Sequence, residues 1–439
     1  MRGDLKDVVT LAWPMVVGML SITVIDLTDT LVAGWLGKTE LAAVGTASTI
    51  AFLVNAFFVG FFEGVKILVA QATGAGQHQL AKNGAWHGVL LAIPCGAAIC
   101  CLIFAQTPIF ALFGGSALVQ EMACDFFSIR VLASPFWFVI MALICFYQGC
   151  GNTRLPMQIN LLVCIVNVFL DIVLTFYGIG PIPPLGVLGP AYATLISIVI
   201  GMVVMLVIFI RRYGWSDQFQ FSIVRKLIRA GLPVGIRFFL QVGAWTVCTS
   251  FMAHMGDAFI AANQITAKVL MVSFLANYGT GEAACILTGQ CVGAENENGV
   301  YRSYQSSVKV ALFMATIYAL IMISCAGPIA ALFQSDPEVL SVATGLMMVA
   351  AICQIFDGLV MTAAGALNGT GDTRFTMYVQ IGATWVVTLP LGYWFGVVQN
   401  LQALGVWYAF TLESLCVSLI LIWRFRSGGW KNKSLVNTA

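Results

Sequence analysis

The sequence predicts an all-α polytopic membrane protein whose twelve transmembrane helices form two six-helix lobes, residues 1–212 and 213–439. Three observations predict this: a composition too apolar for a soluble chain, a one-sided distribution of basic residues between the apolar windows, and a second half that repeats the first.

Of 439 residues, 60% are hydrophobic and 9% charged, against about 25% charged in ordinary soluble domains. A hydrocarbon core about 30 Å thick needs roughly 20 apolar residues per helical crossing. The chain therefore accommodates twelve crossings and no large soluble domain. Windows fall at 8–36, 41–72, 85–106, 124–150, 157–177, 187–210, 227–255, 259–291, 305–326, 340–367, 377–398 and 404–424. They are continuous apolar runs, unlike the roughly ten-residue alternating strands of an outer-membrane barrel. The opening MRGDLKDVVT runs into the first window without a small-residue cleavage site, which reads as a retained helix.

The 21 basic and 19 acidic residues leave a net charge of +2, with no basic run to follow a nucleic-acid backbone, so nucleic acid is not an expected partner. Thirteen cysteines lie almost entirely in apolar stretches without a CxxC pair, which reads as small lipid- or core-facing side chains in preference to a metal or disulfide set.

With both termini in the cytoplasm, sixteen basic residues fall on that side: Arg2, Lys6, Lys82, Arg154, Arg211, Arg212, Arg225, Lys226, Arg229, Arg302, Lys309, Arg374, Arg424, Arg426, Lys431 and Lys433. The opposite loops hold Lys38 alone, and Lys66, Arg130, Arg237 and Lys268 fall well inside windows, away from their ends. The positive-inside bias thus sets the topology, and it supports the count, since one miscounted span would invert every later loop. A bacterial-type inner membrane, or a eukaryotic equivalent, is the expected location.

Trp13-Pro14 aligns with Leu232-Pro233, Gly37 with Gly256, Glu63 with Glu282, Gln71 with Gln290 and Gly74 with Gly293, all 219 apart. After one inserted residue, TPIFALF at 107–113 matches GPIAALF at 327–333, and GCGNTRLP at 149–156 matches GTGDTRFT at 369–376. Six spans is an even number, so both lobes enter from the same side, and the pseudo-two-fold axis runs along the membrane normal with a central cavity between the copies. That is the geometry of an alternating-access transporter, and nothing in a whole-chain duplication suggests an enzyme's single catalytic constellation.

These motifs carry a family likeness: the chain resembles the MATE (multidrug and toxic compound extrusion) transporters along nearly its full length. Gly60, Gly64, Gln71, Gly74 and Ala75, with their copy Gly279, Gln290, Gly293 and Ala294, look like the signature of spans two and eight. The loops QGCGNTR and NGTGDTR look like those after spans four and ten. The first span, with Pro14 fifteen residues before Asp29 in DLTDTLVAGWLG, looks like the DinF-like branch, where a kinking proline precedes a functional Asp. Asn167 and Asp171 of NVFLD and Thr194 of GPAYATLIS match that branch's Asn, Asp and Thr. The NorM-like branch carries a cation-binding Glu in span seven; here Gln241 stands in its place, while Asp357 matches that branch's tenth-span Asp.

Comparing the copies separates scaffold from lobe-specific chemistry. Gly37 and Gly256, and Arg154 and Arg374, are shared and read as structural. By contrast Asp29 faces Cys248, Asp26 Trp245, Asn167 Val387 and Asp171 Leu391, so the acidic cluster belongs to the first lobe alone. Asp26 and Asp29 are three apart and Asn167 and Asp171 four apart, so each pair shares a helix face. A carboxylate in hydrocarbon costs several kcal/mol unless protonated, paired or liganded. Asp29, Asp171, Asn167, Thr194 and Asp26 are accordingly the candidate cation-coupling residues, able to exchange H⁺ or, through the first four, to cage Na⁺. A static hydrogen-bond network joining spans one, five and six is the structural alternative.

Arg237 and Asp357 have Gly18 and Trp137 as counterparts, so they are candidates for an ion pair lining a C-lobe cavity, with Gln241 a further candidate there. Glu63 and Glu282, equivalent by duplication, read as structural in preference to a gate. Glu413, Lys268 and Arg130 read as paired or snorkelling; His78, His87 and His254 lack metal-ligand spacing. Pro14 removes a backbone hydrogen bond and marks a hinge. The expected protein is a monomeric antiporter, without cofactor, that exports organic cationic or amphipathic compounds in exchange for H⁺ or Na⁺. A lipid-linked oligosaccharide flippase would carry several cavity-facing basic residues to hold a pyrophosphate. A channel would pass ions without counter-ion coupling.

Overall fold

The computed structural model describes residues 3–114, 116–178, 180–181, 183–216, 219–253 and 255–436; Arg2 and His254 lie outside them. Among these residues twelve helices are long and apolar enough to cross a membrane, and no strand occurs. They are α1 Leu5–Leu36, α2 Lys38–Gly74, α3 His78–Ala111, α4 Ala117–Gly149, α5 Arg154–Tyr177, α6 Gly186–Tyr213, α7 Phe221–Met252, α8 Asp257–Gly293, α9 Glu297–Ala331, α10 Pro337–Thr370, α11 Thr373–Val398 and α12 Gln402–Arg426.

Each helix corresponds to one apolar window, and most run beyond it. Hydropathy registers the segment that needs hydrocarbon, whereas backbone pairing continues into polar ends until a cap stops it. Thus α9 starts at Glu297, ahead of its window at 305, where Asn296 Oδ1 accepts the Gly299 N–H at 2.9 Å. Asp336 caps α10 in the same way with Pro337 behind it, and α10 ends on Gly371, left-handed at φ 95°.

The helices divide between two compact units. One comprises Met1–Val16, Ala70–Gln77 and Ile236–Ala439; the other comprises Val17–Val69 and His78–Gly235. α1 passes from one unit to the other after Val16 and α7 after Gly235, positions 219 apart that each follow a helix-interior proline, Pro14 or Pro233, by two residues.

Within the first unit, Val8, Leu11, Ala12 and Met15 of α1 bury against Ala283, Ile286 and Leu287 of α8. Gly279 permits this approach, since a Cβ there would come within 2.6 Å of Val16 Cγ2. The second unit contains the duplicate contact. A Cβ on Gly60 would reach Val234 O of α7 at 2.7 Å, and one on Gly64 would reach Gly231 N at 2.7 Å. The repeated pair Gly60 and Gly279, and Gly64 beside it, are therefore helix-crossing points, as close packing in lipid requires. Phe104, Ile165, Val386 and Trp423 turn outward, an apolar surface suited to lipid.

Candidate cation-coupling site

The second unit gathers the sequence-predicted polar residues at one place. Asp29 of α1, Asn167 and Asp171 of α5 and Thr194 of α6 are all buried. Helix spacing stacks Asn167 one turn from Asp171, and its Nδ2 donates to Asp171 Oδ1 at 3.4 Å and to Thr194 Oγ1 at 3.2 Å. Asp29 and Asp171 are close enough to interact electrostatically. Just beyond Asp171, α5 widens into a π-helical turn over Val173–Tyr177, a distortion frequent at functional sites.

Arg130 of α4 completes the cluster, and sequence reasoning did not place it there. Its Nη1 donates to Thr194 Oγ1 at 2.9 Å and to Asp29 Oδ2 at 3.4 Å, while Nη2 stands 3.9 Å from Asp26 Oδ1. A mid-span arginine signals that a partner must exist; that the partner is Asp29, 101 residues away, only the fold can show. Asp26 differs from Asp29 in setting: its side chain is 63% exposed, against 3% for Asp29.

Three acceptor oxygens in this cluster, Asp29 Oδ1, Asn167 Oδ1 and Asp171 Oδ2, are buried without a protein donor. Buried polar atoms are almost always satisfied. A proton shared by the two carboxyls, or a cation among the three oxygens, would satisfy them.

In the first unit, Arg237 Nη1 and Gln241 Nε2 both donate to Gln380 Oε1 of α11, at 3.2 and 3.1 Å. Asp357 instead lies within electrostatic range of Glu413 of α12, whose carboxylate accepts the hydroxyls of Thr384 and Thr388 from a π-helical stretch of α11. Glu413 is thus paired, as expected. Buried Glu63 lies 3.8 Å from the buried Lys66 ammonium on α2, and Glu282 is buried in α8. Lys268 and His78 are exposed. His87 holds a loop: its Nδ1 meets Asn83 O at 2.6 Å and its Nε2 accepts the Gln220 N–H at 2.8 Å.

The family model MatE matches residues 14–173 and 233–394, one stretch in each half of the duplication. A curated relative, the probable multidrug resistance protein NorM of Pseudomonas putida, is 27% identical across 99% of this chain and 96% of its own length. Among solved structures, the outward-facing conformation of a multidrug resistance MATE family transporter of the MOP superfamily is similar with a TM-score of 0.90, 22% identity and 98% of both chains covered. A second, MATE in the bent conformation, has a TM-score of 0.87 at 22% identity, covering 99% of this chain and 98% of the other. The fold is that of these transporters, and the chain belongs to the MatE family.

Proposed function

We propose that the protein is a secondary active antiporter that exports organic, cationic or amphipathic compounds in exchange for H⁺ or Na⁺. The observation that carries the coupling site is the set of three buried acceptor oxygens on Asp29, Asn167 and Asp171 that lack a protein donor. A fixed scaffold would leave such groups at a cost of about 1–3 kcal/mol each. A cluster that takes up and gives back a proton or a cation needs them. Transport then follows from differential affinity: the cation favours one conformation and the organic substrate another, and no covalent chemistry is involved. The protein is not an enzyme.

In this reading the lobes are residues 1–212 and 213–439, both termini face the cytoplasm, and a single chain works in a bacterial-type inner membrane. Pro14 is the hinge of α1. Support for a hinge comes from the unit boundary just behind it and from a solved neighbour in a bent conformation. The chain is placed in the DinF-like branch by Pro14, Asp29, Asn167, Asp171 and Thr194 in this reading. Arg237, Gln241 and Asp357 line the other half's cavity, and Glu63 and Glu282 brace the second helix of each repeat.

The test is drug efflux and substrate-driven cation flux in proteoliposomes for Asp29→Asn and Asp171→Asn. Both variants should lose coupled flux. Wild-type transport in a well-folded variant of either residue would remove the cluster from the coupling mechanism.

A further inference from the structure

At the root of α1 a hollow of about 480 Å³ opens between Asp4, Leu5 and Lys6 on one side and Arg302, Gln305 and Lys309 of α9 on the other. The two helices are joined around it. Arg302 pairs with Asp4, and Val310 of α9 packs on the cluster formed by Val8, Leu11, Ala12 and Met15 of α1. Lys6 stands two residues before the apolar window of α1, and Lys309 lies four residues into that of α9. The hollow therefore sits where both helices pass from water into hydrocarbon.

Three basic residues line it against one acid, and Arg302 already engages that acid, Asp4. Asp7, the next acid on α1, accepts the Gly3 N–H at 3.0 Å and is not part of the lining. Among the described residues neither Lys6 nor Lys309 forms an ion pair, and both are exposed. Two ammonium groups on one hollow with no carboxylate to spare repel each other and attract an anion. We infer that the hollow binds an anionic phospholipid, with the phosphate between Lys6 and Lys309 and the acyl chains along the apolar stripes that start beside them.

Those stripes choose a lipid over a free phosphate ion. Leu5, Val9 and Trp13 of α1 recur every four residues, as do Lys309, Phe313 and Ile317 of α9, and every apolar member is exposed. A spacing of four keeps a stripe on one helix face, so each leads from a residue lining the hollow into the hydrocarbon. Side chains on a helix lean toward its N-terminus, which for Lys309 is toward the hollow. Its stem can cover apolar surface while the ammonium stays at headgroup level, and basic pockets between membrane helices are a recurrent seat for anionic headgroups. A zwitterionic lipid brings an ammonium of its own that competes with the two lysines. An organic cation is repelled, so the hollow is separate from the transport path proposed above and stands whether or not that reading does.

The test is native mass spectrometry of the purified full-length protein, titrated with phosphatidylglycerol or phosphatidylcholine of identical acyl chains. Wild type should retain phosphatidylglycerol in preference to phosphatidylcholine. Lys6→Gln and Lys309→Gln should each weaken phosphatidylglycerol binding by about five-fold, the scale of one basic residue near an anionic lipid surface, and leave phosphatidylcholine binding unchanged. A protein with both Arg211→Gln and Arg212→Gln loses two exposed charges at the end of α6 and should bind as wild type does. Equal retention of the two lipids by wild type, or a loss in this arginine control that matches the lysine variants, overturns the site. Displacement of phosphatidylglycerol by millimolar inorganic phosphate overturns the lipid assignment in favour of a phosphate ion. If neither lysine variant folds, a phosphatidylglycerol with a photoreactive headgroup decides on the wild-type protein: cross-links confined to residues 4–6 and 302–309 support the site, and cross-links elsewhere overturn it.

Discussion

Leu435 donates its backbone N–H to Gln71 Oε1 at 2.7 Å, so the segment after the last helix closes on the last turns of α2. Gln71 is fully buried; its Nε2 donates to Gly369 O at 2.8 Å, and Ser434 Oγ also reaches Oε1 at 3.3 Å. One amide therefore ties α2, the end of α10 and the chain beyond α12 together. Gln71→Ala would leave the Leu435 N–H and the Gly369 carbonyl without this partner. The expected loss is about 2–4 kcal/mol of stability, read as a lower melting temperature in detergent; an unchanged melt would mean water or a neighbour replaces the amide. Gln71→Glu keeps the acceptor but loses the donor, and should fall between the two.

The ends of α2 and α8 cross at a pair of glycines related by the duplication. A Cβ on Gly74 would fall into the Gln290 carbonyl, and one on Gly293 into the Gln71 carbonyl. No side chain can rotate away from such a contact, because backbone meets backbone. Gly74→Ala and Gly293→Ala should each destabilise the protein by about 1–3 kcal/mol, the usual scale of overpacking. The two effects should be similar in size and less than additive, since either one already forces the crossing apart. Melting of both single variants and the double variant checks this, and full additivity would show that the two contacts are independent.

His87 links α3 to the segment before α7 through a ring whose two nitrogens have opposite tasks. Nε2 must accept from the Gln220 N–H at 2.8 Å, so the proton resides on Nδ1 and faces Asn83 O at 2.6 Å. Trp86 Nε1 to Gly214 O at 3.3 Å and Lys82 Nζ to Trp215 O at 3.0 Å hold the same segment. His87→Ala removes one of these ties, about 1 kcal/mol net and more if Gln220 stays dry. Tryptic cleavage within 211–226 should accelerate roughly five-fold or more, in line with the population change for that energy. A wild-type cleavage rate would show that Trp86 and Lys82 suffice.

What the sequence made legible follows from the range of each interaction. All twelve helices could be read, because a window of apolar residues is a local property and lipid enforces it. Their ends could not, as at Glu297 of α9, because a cap such as Asn296 is a matter of one hydrogen bond. Asp29, Asn167 and Asp171 emerged from contrast with the second copy, which has Cys248, Val387 and Leu391 at those positions, and Thr194 from the family resemblance. Their convergence was an inference from the cost of buried charge, and the structure brings the four together. Arg130 was read only as paired or snorkelling. No spacing rule connects α4 to α1, so the bond to Asp29 appears only once the helices are assembled. The same holds for Glu413, whose partners Thr384 and Thr388 come from the neighbouring helix.

Pro14 and Pro233 share one environment by duplication: each lies inside its helix, two residues before the chain passes between compact units. A proline inside a helix removes one backbone hydrogen bond and clashes with the preceding turn, at about 3 kcal/mol relative to a regular residue. Substitution by alanine therefore stabilises the straight helix against the bent one. If bending of α1 is part of the cycle, Pro14→Ala should slow substrate efflux by about tenfold or more, since 1.4 kcal/mol of bias already corresponds to that factor, while the protein melts at or above the wild-type temperature. Pro233→Ala applies the same bias to α7, which passes between the units at the equivalent position but has Trp245 and Cys248 where α1 has Asp26 and Asp29. A large loss in Pro14→Ala with a small one in Pro233→Ala would assign the working hinge to the helix that bears the acids. Equal losses would make both hinges part of the cycle, and wild-type efflux in Pro14→Ala would show that α1 does not bend there during transport.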